Sequence, residues 1–265
     1  MDMIFELISN FFGIEPLGLA IVCGLVFLAG YVDAIAGGGG LISLPAYLIA
    51  GVPTHAAIAT NKLSSCMGTT VATFHYGKSG FINARLALPS IVFACLGSFC
   101  GSNVLLLVDD GFLRLFLLVV LPVTAIYVMK SKSFDAAGLQ SFSLRKTTLF
   151  CIGIAFAVGV YDGFYGPGTG TFLMLMLTGL VHLRLDSAAG VTKSINLTTN
   201  LAALIVFLIH GQVVILLGLL AGLFNMIGNY LGSHSFTKNG GAIARPITIA
   251  VLLIFFAKVV WDFMA

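Results

Sequence analysis

Apolar residues run along this chain in long unbroken stretches, separated by short polar or Gly/Pro breaks. Ten runs can be marked, at 16–35, 41–51, 56–77, 84–107, 111–130, 147–164, 170–181, 188–209, 213–232 and 243–262. Continuous runs of this kind predict helices, because a strand with one buried face alternates with a period of two. A helix needs roughly 20 predominantly apolar residues to cross a hydrocarbon core of about 30 Å, and eight of the runs are long enough. The runs at 41–51 and 170–181 are not, since about a dozen residues make only about 17 Å of helix. Each of them follows a glycine-rich break, "GGGG" at Gly37 to Gly40 and "GPGTG" at Gly166 to Gly170.

Composition turns this pattern into a class. Hydrophobic residues make up 59% of the chain and charged residues 9%, against about 25% charged in soluble domains. The prediction is an all-α integral membrane protein of about eight full transmembrane helices and two short broken ones. A β-barrel is excluded by the lack of alternation. The formal charge of +3 is small and scattered, so no nucleic-acid partner is expected. Cys23, Cys66, Cys95, Cys100 and Cys151 lie in apolar segments without metal-ligand spacing, which leaves neither a metal nor a cofactor to expect. The sequence contains no H-E-x-x-H, Walker or G-x-S-x-G motif, so an enzyme is not expected. The acidic start "MDMIFELISNFFGIEP" lacks a small-residue cleavage site, so the first helix is expected to stay in place.

The two short runs occupy matching places in two halves, as in an internal duplication. "YVDAIAGGGG" (Tyr31 to Gly40) aligns with "VYDGFYGPGTG" (Val160 to Gly170), pairing Asp33 with Asp162, Gly37 with Gly166 and Gly39 with Gly168. "ATNK" ending at Lys62 aligns with "GVTK" ending at Lys193. The reading is a first repeat at 1–130, a cytoplasmic linker at 131–146 and a second repeat at 147–265. Lys78, Arg85, Lys130, Lys132, Arg145, Lys146, Lys238 and Arg245 are placed inside by the positive-inside rule. The loops that match them in the other half, with His210 to Gln212 and with Asp109 and Asp110, carry no such excess. The repeats are therefore expected to be inverted, with five segments each and both termini outside.

Unwound backbone is tolerated at membrane depth only where it is buried in protein or lines a cavity. A helix that starts after such a break offers free N–H groups and a positive dipole end to an anion. Gly37, Gly38, Gly39 and Gly40, and Gly166, Gly168 and Gly170, are therefore candidate substrate-binding positions; close packing of small residues is the alternative. Lys62 and Lys193 are costly in a membrane helix and ask for a partner or a role. Residues three, four and seven apart share a helix face, so Lys193, Asn196 and Asn200 form one polar stripe and Lys62, Ser65 and Thr69 form its counterpart. Cationic heads beside amide and hydroxyl donors describe a site for a small oxyanion. Asn61 and Thr192 precede the lysines within reach of the glycine loops. Asp33 and Asp162, where the first helix of each half breaks, are candidates for proton coupling. Their alternative role is an ion pair with the lysine of the same half.

"DAIAGGGGLISLP", the "ATNK" that follows it and "GVTKSINLTTNLAALIVFLIHGQV" resemble the TauE/SafE family of sulfite exporters, in particular its YfcA-like membrane transporters. The resemblance implies a multi-pass protein of the bacterial cell inner membrane that moves sulfur oxyanions or small organosulfonates such as sulfite. The second break departs from a plain glycine run, reading "GPGTG". The combined expectation is a secondary transporter of a small anion working by alternating access. Its partners are that anion and the lipid bilayer, with homo-oligomerisation left open. The alternatives are a cation- or proton-coupled carrier of another small solute and a non-catalytic membrane subunit of a larger complex.

Overall fold

The computed structural model describes residues 14–109, 111–112, 142–240, 242–243 and 246–247. Nearly all of the predicted segments at 111–130 and 243–262 and most of the linker fall outside them. The described residues form eight α-helices of eight or more residues, named here α1 (Pro16–Ala36), α2 (Gly40–Ile49), α3 (Thr54–Lys78), α4 (Ala84–Leu105), α5 (Leu144–Phe164), α6 (Thr169–Gly179), α7 (Leu185–Ile209) and α8 (Ile215–Asn239). Each answers to one of the predicted runs. The largest difference is α8, expected to stop at residue 232. It continues through "SHSFTKN" because Ser233 and Phe236 are still buried against the bundle.

Five of the described helices, α1, α4, α5, α7 and α8, are long and apolar enough to cross a membrane. Helix α3 has 25 residues but is less apolar, since Thr54, Thr60, Asn61, Lys62, Ser64 and Thr69 are all buried along it. It survives as a polar helix because it lies inside the bundle, packed on α7 and α8. The outer helices have the opposite pattern. Leu88, Val92, Leu96 and Phe99 of α4 and Leu216, Leu219, Leu223 and Ile227 of α8 are exposed at helical spacing. In water such stripes favour aggregation; a bilayer solvates them at no cost.

Helices α1 to α4 and α5 to α8 pack reciprocally. Helix α1 lies against α8 and α5 against α4; α3 meets α8 and α7 meets α4; α3 and α7 meet each other. The contacts correspond residue by residue. A Cβ on Gly97 would lie 2.4 Å from Phe156 O, and one on Gly228 would lie 2.1 Å from Phe27 O. A Cβ on Gly101 would lie 2.0 Å from Val160 O, and one on Gly232 would lie 2.4 Å from Tyr31 O. The two seams use one motif, "GSFCGS" at Gly97 to Ser102 and "GNYLGS" at Gly228 to Ser233. Its glycines bring backbones into contact where a side chain would hold them apart. Both copies are visible in the sequence, and the periodicity reading passed over them.

Helix α1 ends at Gly37, whose φ of 75° is in the left-handed region and whose N–H donates to Asp33 O at 2.9 Å. The second break turns at Gly166, with φ of 98°. The breaks lie back to back, since a Cβ on Gly170 would sit 2.6 Å from Gly37 Cα. Thr171 joins them, donating its N–H to Gly37 O at 3.1 Å and its hydroxyl to Ala36 O at 2.9 Å. Carbonyls left over at the end of α1 thus find partners in the other half instead of in water.

Replacing Gly101 with Ala forces backbone apart at a seam, and such overpacking costs about 1–3 kcal/mol. Gly24 and Gly153, also helical, have nothing within 4 Å of an added Cβ. In detergent, Gly101→Ala is expected to lower the unfolding temperature, while Gly24→Ala and Gly153→Ala leave it unchanged or raise it; equal effects at all three would refute the seam.

Candidate functional site

The two polar stripes, on α3 and α7, converge on the two glycine breaks. Lys62 and Lys193 are each 2% exposed, too buried for their heads to reach a membrane surface by extending along the helix. A buried charge requires a partner, and each lysine finds an aspartate in the opposite half. Lys193 Nζ lies 2.6 Å from Asp33 Oδ2, and Lys62 Nζ lies 2.8 Å from Asp162 Oδ2. This corrects the expectation of pairing within a half. The two pairs cross, as the reciprocal helix packing requires.

The pairs differ in detail. Lys193 donates to Asp33 Oδ2 and also to the Asp33 carbonyl. That carbonyl, which also accepts the Gly37 N–H, belongs to the last turn of α1, where the negative end of the helix dipole favours a cation. Lys193 therefore caps a helix of the other half. Lys62 approaches Asp162 Oδ2 without hydrogen-bond alignment, leaving that oxygen held by charge alone. The other oxygen, Asp162 Oδ1, accepts a hydrogen bond of 2.6 Å from the Thr169 hydroxyl. In the first half the residue corresponding to Thr169 is Gly40, which has no side chain to offer Asp33.

Between the breaks is a cavity of about 20 Å³, enough for about one water. Of the predicted residues it is lined by Lys62, Asn61, Ser65, Asn196, Asn200, Gly37, Gly40, Gly166, Gly168 and Gly170, and by both aspartates. Thr169 also lines it and was missed. Its signal lay in the departure "GPGTG", where a hydroxyl replaces a glycine beside the aspartate. Lys193, Thr69, Thr192, Gly38 and Gly39 do not line the cavity. Lys193 is turned to the end of α1 instead. Gly39 packs on α1, where an added Cβ would lie 2.5 Å from Asp33 Cβ.

The cavity presents unspent donors and acceptors. Asn61 Oδ1 is buried without a hydrogen-bond partner among the described residues. Asn200 Nδ2 reaches Asn196 Oδ1 at 3.3 Å, a long contact that leaves its second amide proton uncommitted. Backbone N–H groups are largely used, with Thr169 donating to Gly166 O, Leu41 to Gly38 O, and Ile42 and Ser43 to Gly39 O. Gly40 and Gly170 are in the first turns of α2 and α6, where no intrahelical acceptor exists. Chemically the site can surround a small solute with one ammonium, amide and hydroxyl donors, and a carboxylate that the solute can displace from Lys62. No group of three or more potential metal ligands occurs among the described residues.

A protein-family model described as "Sulfite exporter TauE/SafE" matches residues 22–259. Among curated proteins, the chain is 34% identical over 234 residues to "Probable membrane transporter protein ORF9" of Sinorhizobium sp, covering 88% of each chain. It is 32% identical over 245 residues to a "Probable membrane transporter protein" of Haemophilus influenzae, covering 92% of this chain and 95% of that one. It is 30% identical over 258 residues to "Probable membrane transporter protein YfcA" of Escherichia coli K12, covering 97% of this chain and 95% of that one. No solved structure matches. With five described helices long and apolar enough to span, the chain is a multi-pass membrane protein of the transporter type. The chain belongs to the sulfite exporter TauE/SafE family.

Proposed function

We propose that this protein is a secondary transporter of a small anion, a sulfur oxyanion or organosulfonate such as sulfite, in a bacterial inner membrane. The observation that carries the reading is the cavity where the two breaks meet, in which Lys62 stands beside Ser65, Asn196 and Asn200. An ammonium gives an oxyanion its counter-charge, and amides and hydroxyls fix its orientation. The family description supplies the sulfur chemistry.

Two features support alternating access. The reciprocal packing of the two halves matches transporters built from inverted repeats, whose sites form at discontinuous helices between the halves. The cavity is also too small for an oxyanion as it stands, so occupancy requires the breaks to separate. The smooth glycine seams between α1 and α8 and between α4 and α5 are surfaces along which the halves can slide. Coupling to protons follows from charge balance. With both lysines neutralised by aspartates, an anion enters without a net charge penalty when one carboxylate takes up a proton in the same step.

One observation favours a second reading. Since Lys62 and Lys193 each already have an aspartate, the carboxylates can be regarded as the solute-binding groups and the lysines as structural, which describes a cation- or proton-coupled carrier of another small solute.

Flux into proteoliposomes separates the two. Sulfite is expected to accumulate under an imposed pH gradient without sodium; uptake of sodium with no sulfite movement would favour the second reading. A hydrogen bond to a charged group is worth about 1.5–3 kcal/mol, so Asn200→Ala or Asn196→Ala is expected to raise the sulfite KM by about tenfold or more. These variants are more telling than Lys193→Met, which strands Asp33 without its partner and disturbs folding as well as flux. An unchanged KM in both asparagine variants would remove α7 from the site.

A further inference from the structure

Asp33 and Asp162 correspond by sequence but not by environment. Asp33 is tied by two hydrogen bonds from Lys193, one to its carboxylate and one to its carbonyl. Asp162 has one oxygen beside Lys62 without hydrogen-bond alignment and the other on the Thr169 hydroxyl. That hydroxyl lies 2.6 Å from Asp162 Oδ1 and equally 2.6 Å from Gly166 O. It has one proton to give and lone pairs to receive. A carbonyl oxygen can only accept. When Thr169 donates to Gly166 O, the short contact to Asp162 is a hydrogen bond only if the carboxyl group itself carries a proton on Oδ1. When Asp162 is a carboxylate, the same hydroxyl turns and donates to Oδ1. Both arrangements fit the same heavy-atom positions.

The geometry points to Asp162 as the proton-carrying residue of the transporter, with the Thr169 hydroxyl as a two-way switch that stabilises both its charged and its neutral form. Asp33 is the fixed counter-ion of Lys193. The assignment rests on the proton-coupled reading above and gives it a residue. The charge balance is complete. A proton from solvent binds Asp162 Oδ1, the Thr169 proton swings to Gly166 O, and Lys62 loses its counter-ion. A monovalent oxyanion in the cavity replaces it, so the site is neutral with proton and anion both bound and neutral with both absent. The remaining ionisable groups around Asp162 do not compete. Asp33 lines the same cavity but is engaged by Lys193. Helix α4 meets α5 through Gly97, Gly101 and the Ser98 backbone, with Cys95 and Cys100 exposed on its other side. On α5 itself, the Tyr161 hydroxyl donates to Pro167 O at 2.6 Å. A glycine at 166 is required by the same switch, because a Cβ there would lie 2.7 Å from Lys62 Nζ and 3.0 Å from Asp162 Oδ1.

The proton is read with the anion supplied, because protonation alone would leave Lys62 without a counter-ion. Infrared difference spectra of the full chain in lipid nanodiscs are taken with and without added sulfite at about pH 6, where exposed carboxylates are ionised. A protonated-carboxyl C=O band is expected to appear on adding sulfite and to shift in D₂O. It should be missing from Asp162→Asn and from the double variant Asp162→Asn/Lys62→Met, which removes both charges if the single variant does not fold. It should persist in Asp33→Asn/Lys193→Met, change frequency in Thr169→Val and return to its original frequency in Thr169→Ser. A wild-type protein without the band, a band that survives loss of Asp162 or disappears with Asp33, or a band unmoved in Thr169→Val would each overturn the assignment. Sulfite flux in vesicles is scored separately. A band that behaves as stated with no sulfite flux defeats sulfite transport and leaves the proton site standing. Proton-driven sulfite flux with a band that survives in Asp162→Asn does the reverse.

Discussion

Two lysines buried in the middle of an apolar bundle cannot remain there alone, and the architecture follows from how each is neutralised. Lys62 takes Asp162 and Lys193 takes Asp33, so each of these lysines is balanced by the other half of the chain. Breaking a buried pair by removing one member costs about 3–5 kcal/mol, because the survivor is stranded. Crossing the pairs thus makes the two halves depend on each other at the point where both backbones are broken. The Lys193 contact also places a cation at the C-terminal end of α1, on the Asp33 carbonyl that already accepts the Gly37 N–H.

The helices around this centre hold it close. Glycines at 97, 101, 228 and 232 let α4 meet α5 and α8 meet α1 backbone to backbone. Leucines, valines and phenylalanines on the outer faces of α4 and α8 are left to lipid. The polar helix α3 and its counterpart α7 are thereby shielded, which permits Asn61, Asn196 and Asn200 to sit at membrane depth beside a cavity. The cost of buried polar groups is repaid only if they act on something, and their shared position at the junction of the breaks is where the proposed anion would bind.

Much of this was legible beforehand. Unbroken apolar runs located the eight described helices to within a few residues at most ends, because helix length and hydrophobicity in a membrane are fixed by the bilayer itself. Glycine runs located the breaks, since Gly37 and Gly166 adopt backbone angles that other residues avoid. Helical spacing put Lys62 with Ser65, and Asn196 with Asn200, on faces that do line the cavity. Spacing says nothing of depth or of the neighbouring helix, so it also enrolled Thr69 and Lys193, which do not line the cavity; nor does Thr192, taken for its place just before Lys193. A repeat alignment pairs equivalent residues but cannot tell which copy a side chain touches; the exchange of ion pairs is a property of how the halves interlock. Thr169 was hidden inside a break read only for its glycines, although it is the one place there where the second half adds a hydroxyl and the first half has Gly40.

Crossed pairing is tested most directly by comparing the stability of double neutralisations. Asp33→Asn/Lys193→Met removes one complete pair and leaves Lys62 with Asp162, whereas Asp33→Asn/Lys62→Met strands both Lys193 and Asp162. Thermal unfolding in detergent is expected to show the first double variant more stable than either of its single parents and the second less stable than either of its own. The opposite order, with rescue by the variant confined to one half, would contradict the account.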